Sequence, residues 1–205
     1  MRREISRAMV AALLLASLVS CSAAPAAGPA PRPTQASPAR ADPRLVVRLS
    51  GEAGVSFHDL PPGRPTSIGD LAICIDRPGS IRIDRVAAKD VFGSLTLDEF
   101  AAIPTISDGR FHPFENKHQA IAQYGIDTAA DVVVSEVCTS KPGTQPAPTD
   151  RFAWLILQYT RQTAESAGNS GITIYYTSGT GQHADVAEWS VSLCEPSDHT
   201  TAGCE

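Results

Sequence analysis

His112, Glu115 and His118 fall within seven residues of one another in Phe-His-Pro-Phe-Glu-Asn-Lys-His. Two imidazoles and a carboxylate suit zinc or a similar divalent ion. The spacing differs from the His-Glu-x-x-His of helical metalloproteases, and Pro113 prevents a regular helix through the group. The expectation for these three is therefore solvated loop residues, with a metal site as the competing reading. His58, His183 and His199 are scattered and read as surface groups. Cysteine supplies the other reactive set, with Cys21 closing an apolar run and Cys74, Cys138, Cys194 and Cys204 spread over the rest. No Cys-x-x-Cys pair is present, which argues against a zinc ribbon or a thioredoxin-like redox site.

The segment ahead of Cys21 says where this chemistry operates. Met1 to Arg7 carries three arginines against one glutamate, and an apolar-to-small run follows from Ala8 to Val19. That run is shorter than the roughly 20 residues a helix needs to cross a bilayer. Leu18-Val19-Ser20-Cys21 resembles the lipobox of bacterial lipoproteins. The resemblance implies a signal peptide over residues 1–20, a diacylglyceryl group on the Cys21 thiol, and cleavage between Ser20 and Cys21 that makes Cys21 the first residue. Several acyl chains hold stably where one would bind marginally. The other reading is ordinary secretion with cleavage a few residues later, and both readings place the domain outside the cytoplasm.

Gly168-Asn169-Ser170-Gly171 resembles the loop around a serine protease nucleophile, over four residues only and without an Ala-His-Cys segment to supply a base. A Gly-rich connection into a strand at Ile172 accounts for it without chemistry. No Gly-x-Ser-x-Gly elbow, phosphate-binding loop or dinucleotide fingerprint occurs. Composition adds a further exclusion. Without residues 1–20 the chain keeps 14 basic against 21 acidic residues, a net charge of −7 with histidine neutral. A nucleic-acid partner is usually met by a basic stripe, which this balance does not offer.

Three segments follow from these patterns: a signal peptide over 1–20, an acylated Cys21 with a Pro/Ala-rich tether over 21–43, and one folded domain over 44–205. The tether composition cannot bury enough apolar surface to fold. At about 3.1 Å per residue it could hold the domain up to roughly 65 Å from a membrane.

Within the domain, short β-prone runs alternate with Gly and Pro turns. Arg44–Leu49, Leu71–Asp76, Ile81–Val86, Asp131–Cys138, Phe152–Thr160, Gly171–Thr177 and Asp185–Leu193 read as strands, and Leu95, Leu97 and Phe100–Ile103 as another strand or a short transition. Residues 71–86, folded about Arg77-Pro78-Gly79-Ser80, read as the clearest hairpin. Asn116–Tyr124 reads as two turns of helix inside a long irregular stretch from 104 to 130. The fold expected is all-β, an antiparallel immunoglobulin-like β-sandwich of about seven or eight strands.

Strand parity places Leu71, Ile73 and Ile75 inward and Cys74 on the opposite face, and it groups Ala187, Trp189, Val191 and Leu193 inward with Glu188, Ser190 and Ser192 toward water. Four cysteines in an exported chain imply two bridges and allow three connectivities. The short loop between Cys194 and Cys204 closes easily and leaves Cys74 for Cys138. A Cys74–Cys194 bridge is the alternative if their strands are neighbours.

Trp154, Tyr159, Tyr175, Tyr176 and Trp189 all fall on strands, where core packing is the default. Alternation sends Tyr175 and Tyr176 to opposite faces, so one of them shows its ring to solvent or to a partner. The functional expectation is a lipid-anchored envelope protein without cofactor, more a binding or structural module than an enzyme. It would meet an envelope protein or glycan through a face or through the 104–130 loop, with a metal-binding protein or hydrolase sited in that loop as the alternative.

Overall fold

The computed structural model describes residues 41–49, 54–128, 131–139, 147, 149–179 and 181–205. The expected signal peptide, Cys21 and all of the tether before residue 41 lie outside the described residues.

The strands are β1 (Leu45–Leu49), β2 (Gly54–Phe57), β3 (Thr66–Ile75), β4 (Ile81–Lys89), β5 (Leu95–Pro104), β6 (Ile106–Ser107), β7 (Arg110–Phe111), β8 (Val132–Val134), β9 (Ala153–Arg161), β10 (Ala167–Asn169), β11 (Gly171–Ser178), β12 (Gly181–Ala187) and β13 (Ser190–Leu193). Six of these are only two to four residues long, and the seven longer ones form the frame. One sheet runs β1-β3-β9-β5 and a second β12-β11-β4-β8, with a small β10-β13-β2 sheet and a β6-β7 hairpin. All pairings are antiparallel except β13 with β2. The protein is an all-β sandwich of immunoglobulin-like type.

Ile73, Leu155 and Leu157 from the first sheet, Ile83, Ile172 and Ile174 from the second, and Trp189, Val191 and Leu193 pack into one apolar core. Burying such side chains stabilises by about 1.5–3 kcal/mol each, and β-branched, leucine and aromatic residues accordingly fill most of the inward positions of β3, β4, β9 and β11.

Three expected elements take a different form. Residues 71–86 are not a hairpin, because β3 belongs to the first sheet and β4 to the second. The bend at Arg77–Ser80 carries the chain across the core, so Ile73 and Ile83 meet from opposite layers. A hairpin and an arch share the same run of inward apolar residues, and only the partner strands separate them. The expected Asp185–Leu193 strand breaks after Ala187, and Trp189 fills the core between β12 and β13. Its inward set is as parity requires, but Ser192 is also buried, against Gly203 of the C-terminal loop. Finally, Asn116–Tyr124 holds a single 3-10 turn over Ile121–Tyr124, ended by Gly125 at φ 75°.

The long 104–130 stretch has a packing reason. The outer face of the first sheet is apolar at Ala101 and Ile156, and Ile121 is buried against both, with Phe114, Ile126 and Trp154 around them. The Ile121 N–H donates to Gln158 Oε1 at 2.9 Å, tying the 3-10 turn to β9.

Both bridges are formed as Cys74–Cys138, with Cα atoms 5.3 Å apart, and Cys194–Cys204, at 5.7 Å. Cys74 lies on the face of β3 away from the main core, packed with Ala72, Phe152, Trp154 and Val46. The Phe152 and Trp154 rings meet edge-on at 4.9 Å.

Candidate functional site

The outer face of the β12-β11-β4-β8 sheet is organised by an irregularity in β4. Ile81 and Ile83 are buried, so strict alternation would send residue 85 inward and residue 86 outward. The register instead shifts opposite Tyr175 and Tyr176: Arg85 pairs with Tyr175, Ile83 pairs with Tyr176, and Asp84 is left over between them. This β-bulge moves the pattern by one residue. Val86 is buried at 7% exposure, while Asp84 and Arg85 both stand on the solvent side.

Tyr175 and Tyr176 divide as alternation requires. Tyr176 is buried at 2% exposure, and its hydroxyl donates to Asp185 Oδ2 at 3.0 Å. Tyr175 is half-buried on the outer face, and the Arg85 guanidinium lies over its ring, 3.9 Å from the centroid. A planar guanidinium on an aromatic face is attracted by the ring quadrupole and keeps its N–H edges free for other partners.

Neighbours follow from the ladder. Tyr175 faces Ala184 on β12, Thr173 lies between Val186 and Ala87, and Arg82 faces Val133 on β8. Val133 and Val186, at 55% and 53% exposure, are two of the four exposed large apolar side chains among the described residues. The remaining charges are matched within the chain. Arg82 Nε donates to Asp84 Oδ1 at 2.8 Å, and Thr177 Oγ1 donates to Asp84 Oδ2 at 2.7 Å. These two bonds, the threonine's foremost, hold the Asp84 carboxyl below its ordinary range. Lys89 Nζ lies 2.9 Å from Glu188 Oε1 at the β12 end of the face. Arg85 makes no ion pair among the described residues. The arrangement is a patch of Tyr, Thr, Ala and Val with one ring-mounted cation at its centre, the Lys89–Glu188 pair at one end and the Arg82–Asp84 pair between the stack and Val133.

The sequence-derived metal trio does not converge. His112 Nε2 lies 3.1 Å from Asp108, Glu115 pairs with Lys117 at 3.8 Å, and the His118 ring meets Phe57 edge-on at 5.3 Å. Among the described residues no group of three His, Cys, Asp or Glu side chains is placed to hold a metal ion. Ser170 Oγ donates to Asp90 Oδ2 at 2.8 Å. The other histidines are engaged elsewhere: His58 stacks on His199 at 6.0 Å, and Arg44 Nη1 donates to His183 Nδ1 at 2.6 Å.

Arg85, Val133 and Val186 were not singled out by sequence reasoning. One signal was available for Arg85, since the apolar residues Ile81, Ile83 and Val86 step by two and then by three, the mark of an inserted residue. The chain matches no known family model, no curated protein and no solved structure.

Proposed function

We propose that this chain is a lipid-anchored protein of the cell envelope, held outside the cytoplasm through Cys21, whose sandwich is a binding module rather than an enzyme. It meets another envelope protein through the outer face of the β12-β11-β4-β8 sheet. The lipobox-like Leu18-Val19-Ser20-Cys21 supports the anchor. The observation that carries the binding reading is the Arg85–Tyr175 stack at the centre of an exposed, partly apolar face.

Arginine and tyrosine are the side chains enriched where protein interfaces concentrate their energy, surrounded by weaker contacts that exclude water. The patch has that layout, with Thr173, Ala184 and Val186 around the stack and the Lys89–Glu188 and Arg82–Asp84 pairs outside it. The entry of the chain fits an anchored display. Pro43 O accepts from Ser178 Oγ at 2.6 Å, so a tether would join the sandwich at the β11–β12 end of this same sheet.

The test is a photo-cross-linking residue in place of Ala184, beside Tyr175, in the full lipidated protein in its own membranes. A discrete adduct with one protein, absent when the same residue replaces Gln162 just beyond β9 of the other large sheet, is the expected result. No adduct from Ala184 would overturn the face as a contact surface.

A further inference from the structure

We infer that the partner of this face presents a carboxylate, an Asp or Glu side chain, to the guanidinium of Arg85. This rests on the reading of the face as a protein-contact surface.

Charge on the face leads to it. Its cations fall into two kinds: Arg82 and Lys89 are each tied to a carboxylate of this chain at 2.8 and 2.9 Å, and Arg85 is not. The bulge turns Arg85 outward although regular alternation would have buried position 85, and it leaves Asp84 beside it facing the same way. Asp84 nonetheless bonds Arg82 and Thr177 rather than its neighbour Arg85. The Arg85 guanidinium is thus fixed by Tyr175 at 3.9 Å with its donors uncommitted among the described residues.

An arginine held on a ring has lost much of its rotamer freedom before binding, and its fork matches a carboxylate through two parallel N–H···O bonds. When a partner covers Val133, Val186 and Tyr175, water leaves the patch and Arg85 is desolvated with it. A desolvated cation without a counter-ion is costly, so the surface that covers the face must bring one. A second copy of this chain is a poor fit, because a two-fold axis through the centre of the face would set Arg85 against its own copy.

The experiment extends the Ala184 cross-link in the full lipidated chain in its own membranes. Four backgrounds are compared: Arg85 unchanged, Arg85→Lys, Arg85→Gln and Arg85→Glu, each checked for an unchanged melting temperature. The expected result is a loss of apparent affinity of at least about 30-fold for Gln, the size of a hot-spot truncation. A larger loss follows for Glu and an intermediate one for Lys, which keeps the charge without the fork. The cross-linked peptide on the partner should contain an acidic residue whose change to lysine restores capture by the Arg85→Glu protein. Undiminished capture by Arg85→Gln and Arg85→Glu would overturn the carboxylate while leaving the face reading intact. An adduct of polysaccharide rather than protein, or no adduct at all, would overturn both.

Discussion

The Arg85 guanidinium sits 3.9 Å above the Tyr175 ring because a single unpaired residue, Asp84, shifts the parity of β4 between Ile83 and Val86. Bulges bend a strand and re-aim side chains, and they occur often beside functional surfaces. Here the shift preserves the core, since Ile83 and Val86 both stay buried, and gives two polar residues in succession to the outer face.

The two adjacent tyrosines provide a sharp contrast. Tyr176→Ala should cost about 3–5 kcal/mol, as for other large aromatic core truncations, because the ring is at 2% exposure. Tyr175→Ala should cost under about 1 kcal/mol, the range of an exposed cation–π contact. Urea melts of both variants would decide it, and equal losses would contradict the placement of the two rings.

The two bridges should differ in worth. Cys74–Cys138 spans 64 residues and Cys194–Cys204 spans 10. In the chain-entropy account the longer loop contributes about 4 kcal/mol and the shorter about 3 kcal/mol. Paired alanine replacements of each bridge, compared by denaturant unfolding, should rank in that order.

Arg161 should act as a clamp between two loops. At 2% exposure it donates from Nη1 to Ala164 O at 3.0 Å and from Nη2 to Leu60 O. Arg161→Leu would strand those carbonyls and lose about 2–3 kcal/mol. Hydrogen exchange should then quicken over 60–66 and 161–166 while β11 keeps its protection.

Acid should loosen the C-terminal loop. Ser166 and Thr201 bond the Asp198 side chain and, with the Thr200 and Thr201 amides, hold its carboxyl far below the ordinary range. A depressed carboxyl contributes stability that is fully present above its unfolded value of about 3.9 and is lost as pH falls toward its folded value. Thermal midpoints should therefore drop below about pH 4, and Asp198→Asn should lower the neutral-pH midpoint and flatten that acid limb. An acid limb unchanged in the variant would contradict this assignment.

Side-chain parity was the part of the fold most legible beforehand. Leu71, Ile73 and Ile75, and likewise Trp189, Val191 and Leu193, occupy the core as their alternation demands, and Cys74 points away from it. Partner choice was hidden, because Ile81 and Ile83 would bury equally well in a hairpin or across the sandwich. β2 was missed since Gly54–Phe57 is short and lies parallel to β13. The 104–130 stretch looked irregular because its apolar residues, Phe114, Ile121 and Ile126, are spaced to cover a sheet and follow no helical period. At the candidate site the division of Tyr175 from Tyr176 was readable from alternation alone. Arg85 was obscured by the bulge, where alternation fails for one residue.

The measurement that bears most directly on the central claim is hydroxyl-radical footprinting of Tyr175 in native membranes and in the purified, detergent-held protein. Tyr176, buried in both, serves as the unreactive control, and half-buried Tyr124 on the opposite layer as the reactive one. A several-fold lower modification of Tyr175 in the membranes, together with Val133 and Val186 and with Tyr124 unchanged, is the predicted result. Equal modification of Tyr175 in the two preparations would contradict the account.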